Sequence, residues 1–215
     1  GGYRDTMPRA LAQKMGADEL VCVDLEGVGI TCPNRTGLPT TLIRSYWELG
    51  DILHFDPDTA RRNMELGYYD TRRAMGCLRG CAYAVSCDAR SCQDAAAFAW
   101  QFGQQQKSVR EKYPVTLTAD LALRLANLKD AELAPLEAAA EDVGVDPTQF
   151  YTTETLGKAF LEKCEKDRIE SFAPLFEGSG RAADAARAAL LPNTFLQALV
   201  YRVLTGPVLP EVIEK

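Results

Sequence analysis

The feature that most constrains this chain is a short, uninterrupted apolar run, Leu20-Val21-Cys22-Val23, which follows a helix stop at Gly16 and leads into Asp24. A run without polar alternation has no side to give to water. Directly after a helix it predicts a strand buried on both faces, as in a parallel sheet. Such a strand needs neighbours along its length and cover above and below it. Without them its backbone groups and both apolar faces stand open, which costs stability and invites strand pairing.

The residues around the run extend this α/β reading. Asp5 or Thr6 is placed to cap a short helix with Pro8 in its first turn and Leu11 and Met15 on one face. Gly27, Gly29, Pro33, Asn34, Gly37 and Pro39 make the next stretch a turn-rich loop. Residues 42–47 are β-branched and aromatic enough for a second strand. Asp56 as N-cap, Pro57 and a stop at Gly76 bound a helix on which Ala60, Met64, Tyr68, Thr71 and Met75 are expected to form the buried face. Residues 81–85 read as a last short strand. From Ser91 onward the texture turns helical. Ala95, Phe98, Ala99 and Phe102 mark one helix, and Thr118 caps another carrying Leu121, Leu125 and Leu128. Leu133, Leu136 and Ala140 mark a third, and Asp146-Pro147 reads as the start of the next, with Leu156, Phe160 and Cys164. An Ala-rich helix over 181–190 and an apolar stripe from Phe195 to Val203 complete the set. The fold class expected is α+β: a partial α/β edge over residues 1–88, then a mostly helical module over 89–215.

Composition narrows the function classes. The net charge of −6 argues against nucleic acid as a partner, because phosphate binding needs clustered Lys and Arg. Arg61, Arg62, Arg72 and Arg73 do cluster, but they alternate with Asp58, Glu65 and Asp70 at helical spacing and read as a solvated face of ion pairs. No apolar run is long enough to cross a bilayer, and the opening residues lack the basic-then-apolar pattern of a signal peptide. Seven cysteines, an odd count without the spacing of a disulfide scaffold, point to thiols in a reducing cytoplasm. Cys77, Cys81, Cys87 and Cys92 run as C-x3-C-x5-C-x4-C, unlike the paired short knuckles of structural zinc sites, so a metal site there is the weakest of the readings.

The search for a complete catalytic set fails. No serine sits in a G-x-S-x-G elbow; Gly178-Ser179-Gly180 comes nearest, but Glu177 holds the place of the first glycine. The single histidine, His54, lies between Ile52-Leu53 and Phe55 and reads as structural. Phosphate-loop, dinucleotide and H-E-x-x-H signatures are absent from the sequence.

One ordered set of motifs does stand out. The opening GGYRDTMP is followed by a helix and then by Met15-Gly16-Ala17-Asp18 stepping into Leu20–Asp24. Further on come Ile43-Arg44-Ser45-Tyr46-Trp47-Glu48-Leu49-Gly50, Phe55-Asp56-Pro57-Asp58 and Arg61-Arg62-Asn63-Met64-Glu65-Leu66-Gly67-Tyr68. Over residues 1–85 this resembles the C-terminal part of the patatin-like phospholipase family in bacteria. The family runs D-G-[GA], then D-N-x-P, a helix, and a G-A-D step into a buried strand ending in V-D. Thr6 stands where that pattern has Asn, and Arg9 where it has an apolar residue.

The resemblance implies a Ser–Asp dyad that hydrolyses lipid acyl esters without metal or organic cofactor, aided by a glycine-rich oxyanion loop. Gly1 and Gly2 would be the glycines of D-G-[GA], so serine, oxyanion loop and aspartate all lie upstream and no catalytic residue transfers to this chain. Asp5 matches the structural aspartate of D-N-x-P. The implied partners are a lipid or acyl-ester substrate, with peripheral membrane contact and self-association through the open sheet edge as further options. The alternative is a non-catalytic helical binding or scaffold module, which predicts a self-contained core and no open sheet edge.

Overall fold

The computed structural model describes residues 4–25, 27–50, 56–113, 115 and 117–206. His54 and the Gly1-Gly2 pair lie outside them. The chain is mixed α+β and mostly helical, in two compact units, 1–78 and 79–215. Residues 79–88, read from the sequence with the α/β part, group with the helical unit.

In the first unit, helix α1 (Arg9–Lys14) precedes strand β1 (Leu20–Asp24), and β2 (Thr40–Arg44) and helix α2 (Pro57–Ala74) follow. The two strands pair in parallel, Leu20 opposite Thr40 through Asp24 opposite Arg44. The second strand therefore begins two residues earlier than its aromatic content suggests. Helix α1 covers one face of β1: Met7, Leu20 and Cys22 are buried together with Ala12, Ala17 and Leu38 against them. Arg9 donates to the Cys32 carbonyl and Gln13 to that of Thr36 (2.9 Å), which ties the helix to the loop between the strands. Asp5 does not cap α1. Its carboxylate accepts from the Met7 N–H (3.1 Å) and the Cys32 N–H (3.4 Å), holding the turn before the helix, and Leu11 and Met15 face solvent.

Two expectations reverse. The apolar run is covered on one face only: Val21 and Val23 are each 55% exposed, while Leu20 and Cys22 alternate with them as buried residues. Helix α2 starts as expected, with Asp56 accepting from the Thr59 N–H at 2.7 Å, but its buried face is the other one. Leu66 and Asp70 are buried, whereas Ala60, Met64, Tyr68 and Met75 are exposed. Polar bonds choose this orientation: the Asn63 amide donates to the Leu49 carbonyl (2.6 Å) and Arg62 to that of Glu48 (3.0 Å). Met64, Tyr68 and Met75, on the stripe that periodicity marks for burial, thus stay exposed among the described residues.

The second unit opens with β3 (Ala84–Val85) and the long helix α3 (Ala89–Lys112), capped by Asp88. Helices α4 (Ala119–Asn127) and α5 (Ala134–Asp142) follow, then β4 (Phe150–Tyr151), α6 (Thr153–Lys163), α7 (Lys166–Glu170), α8 (Ala173–Glu177), α9 (Ala182–Leu190) and α10 (Pro192–Thr205). Strand β3 pairs in parallel with β4, so the expected strand at 81–85 shrinks to two residues and belongs to the helical unit. Asp146-Pro147 starts no helix. Asp146 instead accepts from Thr148 in a tight turn that leads into β4, and α6 is capped by Thr152. The core collects the expected stripes: Leu133, Leu136, Leu156, Phe160, Leu196 and Leu199 have no measurable exposure. Helix α5 sits at its centre, with every residue from Ala134 to Ala140 buried.

Candidate functional site

The carboxyl ends of parallel strands are where loops diverge and leave room for a ligand. In the first unit the ends of β1 and β2 open onto a cleft of ≈370 Å³ walled by α2 and the 45–50 loop. Val23, Leu25 and Ile43 give it an apolar floor; Asp24, Arg44 and Asp70 give it charge. Asp24 and Arg44 are register partners, and their side chains meet at 3.2 Å, with Asp24 mostly covered and Arg44 half exposed. Asp70 is buried and ion-paired with Arg73 one helical turn on. Asp24 and Asp70 are thus each matched to a guanidinium, which fixes their geometry.

As a reaction centre the cleft is incomplete among the described residues. Ser45 Oγ accepts from the Trp47 N–H (3.2 Å) and makes no hydrogen bond to a carboxylate or imidazole. The serine hydroxyl that does meet a carboxylate is Ser86, which donates to Asp88 in the other unit. That contact is local. Asp88 also accepts from the Ser91 N–H at 2.8 Å as the cap of α3. The Ser86 hydroxyl and the Ser91 N–H hold the Asp88 carboxyl below the usual carboxylate range, whereas a general base is made by raising it. Gly178 and Gly180 shape the turn between α8 and α9, with Gly178 in the left-handed region, and present no elbow.

The seven cysteines form no disulfide. Cys22 and Cys164 are buried, and burial pushes the Cys164 thiol up. Among the described residues there is no group of three or more His, Cys, Asp or Glu side chains placed to hold a metal ion, nor a helix long and apolar enough to cross a membrane.

The most committed polar group in the second unit is one that motif and periodicity do not single out. Glu137 has no exposure, and its Oε1 accepts from three successive backbone N–H groups, those of Cys81 (2.8 Å), Ala82 (3.0 Å) and Tyr83 (2.9 Å). Gly80, with φ +84°, lets the chain curl around the carboxylate; a Cβ there would come 2.4 Å from the Tyr83 carbonyl. Asp130 supports the same arc, accepting from the Gly80 N–H (3.3 Å) and, in a fork, from Arg79 Nε (2.9 Å) and Nη2 (2.8 Å). The only sequence signal was one charged residue inside the run Ala134-Pro135-Leu136-Glu137-Ala138-Ala139-Ala140. The site is structural, since the chain itself fills the anion-binding nest that the three N–H groups form.

Comparison with protein-family models, with characterised proteins and with solved structures finds no match in any of the three.

Proposed function

We propose that this chain carries the C-terminal part of a patatin-like serine lipid acyl hydrolase, whose nucleophile and aspartate lie upstream of Gly1. The observation that carries the reading is β1. It is an apolar, parallel strand with one paired neighbour among the described residues and 55% of Val21 and of Val23 open to solvent. Leu25 and Leu42, at 64% and 47%, add to the open surface. Covering a Val or Leu side chain fully is worth about 1.5–3 kcal/mol, so covering these half-open residues would stabilise the sheet by roughly 3–6 kcal/mol. A preceding α/β segment supplies that cover and brings a catalytic set to the same carboxyl end of the sheet. There the cleft floored by Val23, Leu25 and Ile43 suits an acyl chain. In this reading Asp24 and Arg44 position the loop and take no part in bond breaking.

The test is hydrolysis of phospholipid acyl esters by the chain extended with its preceding in-frame coding sequence, set beside the same assay on residues 1–215. Turnover by the long form that is lost when the elbow serine becomes Ala supports the proposal. An extended form without esterase activity, folded by circular dichroism, defeats it.

A second reading, the non-catalytic binding or scaffold module, is favoured by one observation: residues 79–215 enclose a core of their own. It accounts for the helical unit and leaves the open β1 edge without explanation.

A further inference from the structure

The run of cysteines at 77–92 is not used by the proposed hydrolase, and two of its members occupy special places on α3. With Asp88 as N-cap, Cys87 is the residue before the cap and Cys92 lies one turn inside the helix. These are the two positions whose side chains meet across a capped helix start, where apolar pairs usually form a staple. The cap is made as that geometry requires: the Ser91 N–H bonds the Asp88 carboxylate (2.8 Å) and the Cys92 N–H bonds the Asp88 carbonyl (3.0 Å). Cys92 Sγ reaches back to the Cys87 carbonyl at 3.5 Å. Cys87 is exposed and Cys92 half-buried, so a small oxidant reaches both.

Cys22 and Cys164, by contrast, are buried and lie outside this turn.

We propose that Cys87 and Cys92 are a peroxide-responsive thiol pair that closes to an intramolecular disulfide at the start of α3. Cys92, having lost its proton to water, attacks one peroxide oxygen. The O–O bond breaks, leaving a sulfenic acid on Cys92 and hydroxide that is protonated to water. Cys87 sulfur then attacks the sulfenic sulfur, the S–O bond breaks, and the departing hydroxide takes up the Cys87 proton as a second water. Two thiols and one hydrogen peroxide give one disulfide and two waters, with two electrons passing from sulfur to oxygen. A dithiol reductant reverses the closure. The bond would brace the turn that carries Ser86, whose N–H reaches the Tyr151 carbonyl (2.8 Å) and so joins the start of α3 to β4. This inference does not rest on the hydrolase reading.

Trypsin cuts between the two cysteines, after Arg90, and gives peptides 80–90 and 91–107. The full chain is treated with a slight excess of hydrogen peroxide, alkylated, digested and weighed by mass spectrometry. The expected product is the two peptides joined, two hydrogens lighter than their sum and separated by dithiothreitol. The link persists in Cys81→Ser and is lost in Cys87→Ser, where Cys92 instead accumulates as a sulfenic acid captured by dimedone. Separately alkylated peptides, direct passage of Cys92 to sulfinic acid in the unsubstituted chain, or a link that disappears in Cys81→Ser would each overturn the proposal. The exposed position of Cys87 makes Cys87→Ser safe for folding.

Discussion

Replacing Glu137 with Ala is the sharpest probe of how the helical unit is held together. The substitution removes the carboxylate oxygen that accepts from the Cys81, Ala82 and Tyr83 N–H groups. Two of these donors are buried and the third is partly so. A buried donor left unmade costs about 1–3 kcal/mol, so the expected loss is roughly 3–6 kcal/mol. Helix propensity works the other way, since Ala is the better helix former by a few tenths of a kcal/mol at most. Against a domain stability of about 5–15 kcal/mol, that loss takes a large share of the fold's margin. Glu137→Gln retains an oxygen in the same place and gives up the charge, so its loss should be smaller, about 1–3 kcal/mol. Urea unfolding followed by Trp100 fluorescence, in a Trp47→Phe background because Trp47 belongs to the first unit, reports on this unit. Hydrogen exchange at residues 81–83 reports on the three donors themselves. A Glu137→Ala chain whose midpoint and whose 81–83 exchange rates match the parent would refute the account of the nest.

Other perturbations separate the remaining inferences. Leu66→Ala should destabilise the first unit by about 2–4 kcal/mol and Met64→Ala by less than about 0.5 kcal/mol, because the buried face of α2 is the one carrying Leu66; equal losses in thermal unfolding would restore the face that periodicity marks. Thr152→Ala removes the cap of α6 and should cost about 1 kcal/mol in urea unfolding, and an unchanged midpoint would deny the cap any role. Burial works to raise the Asp130 carboxyl, but the hydrogen bond and charge of Arg79 outweigh it and leave it lowered. Its folded value lies below its unfolded one, so its contribution is present above the ordinary carboxylate range and is lost as pH falls through the folded value. Asp130→Asn should therefore flatten the acid limb of the stability–pH curve, and an unchanged limb would contradict the ion pair's role. Val21→Lys with Val23→Lys should lower any self-association in sedimentation without reducing stability, since both side chains face solvent; an unaltered association constant would place the contact elsewhere.

Local rules made much of this fold legible in the sequence. Asp56 with Pro57, Thr118 and the Leu133–Leu136–Ala140 spacing each name a helix start or face that the structure contains, because capping and core periodicity act within one or two turns. The failures have a common cause in longer-range bonding. On α2 the Met64–Tyr68–Met75 stripe is the more apolar face, yet hydrogen bonds from Arg62 and Asn63 to the 48–49 carbonyls turn it outward. Asp146-Pro147 has the chemistry of a helix start, but the pairing of β4 with β3 takes the chain into an extended stretch first. Glu137 was illegible for the same reason: its partners lie more than fifty residues earlier, at |i−j| of 54 to 56, and no spacing rule reaches that far. Of the candidate site, sequence and structure share β1 running into Asp24; β2, expected over 42–47, ends at Arg44, and the cleft between the two strands follows only from their parallel register.

The in-frame sequence immediately before Gly1 decides whether β1 belongs to a larger hydrolase sheet, as proposed. The account predicts an Asp directly preceding Gly1 and a G-x-S-x-G elbow further upstream. A start codon at that point, or a preceding sequence lacking both, would contradict it and leave the helical unit's own core as the basis for a binding module.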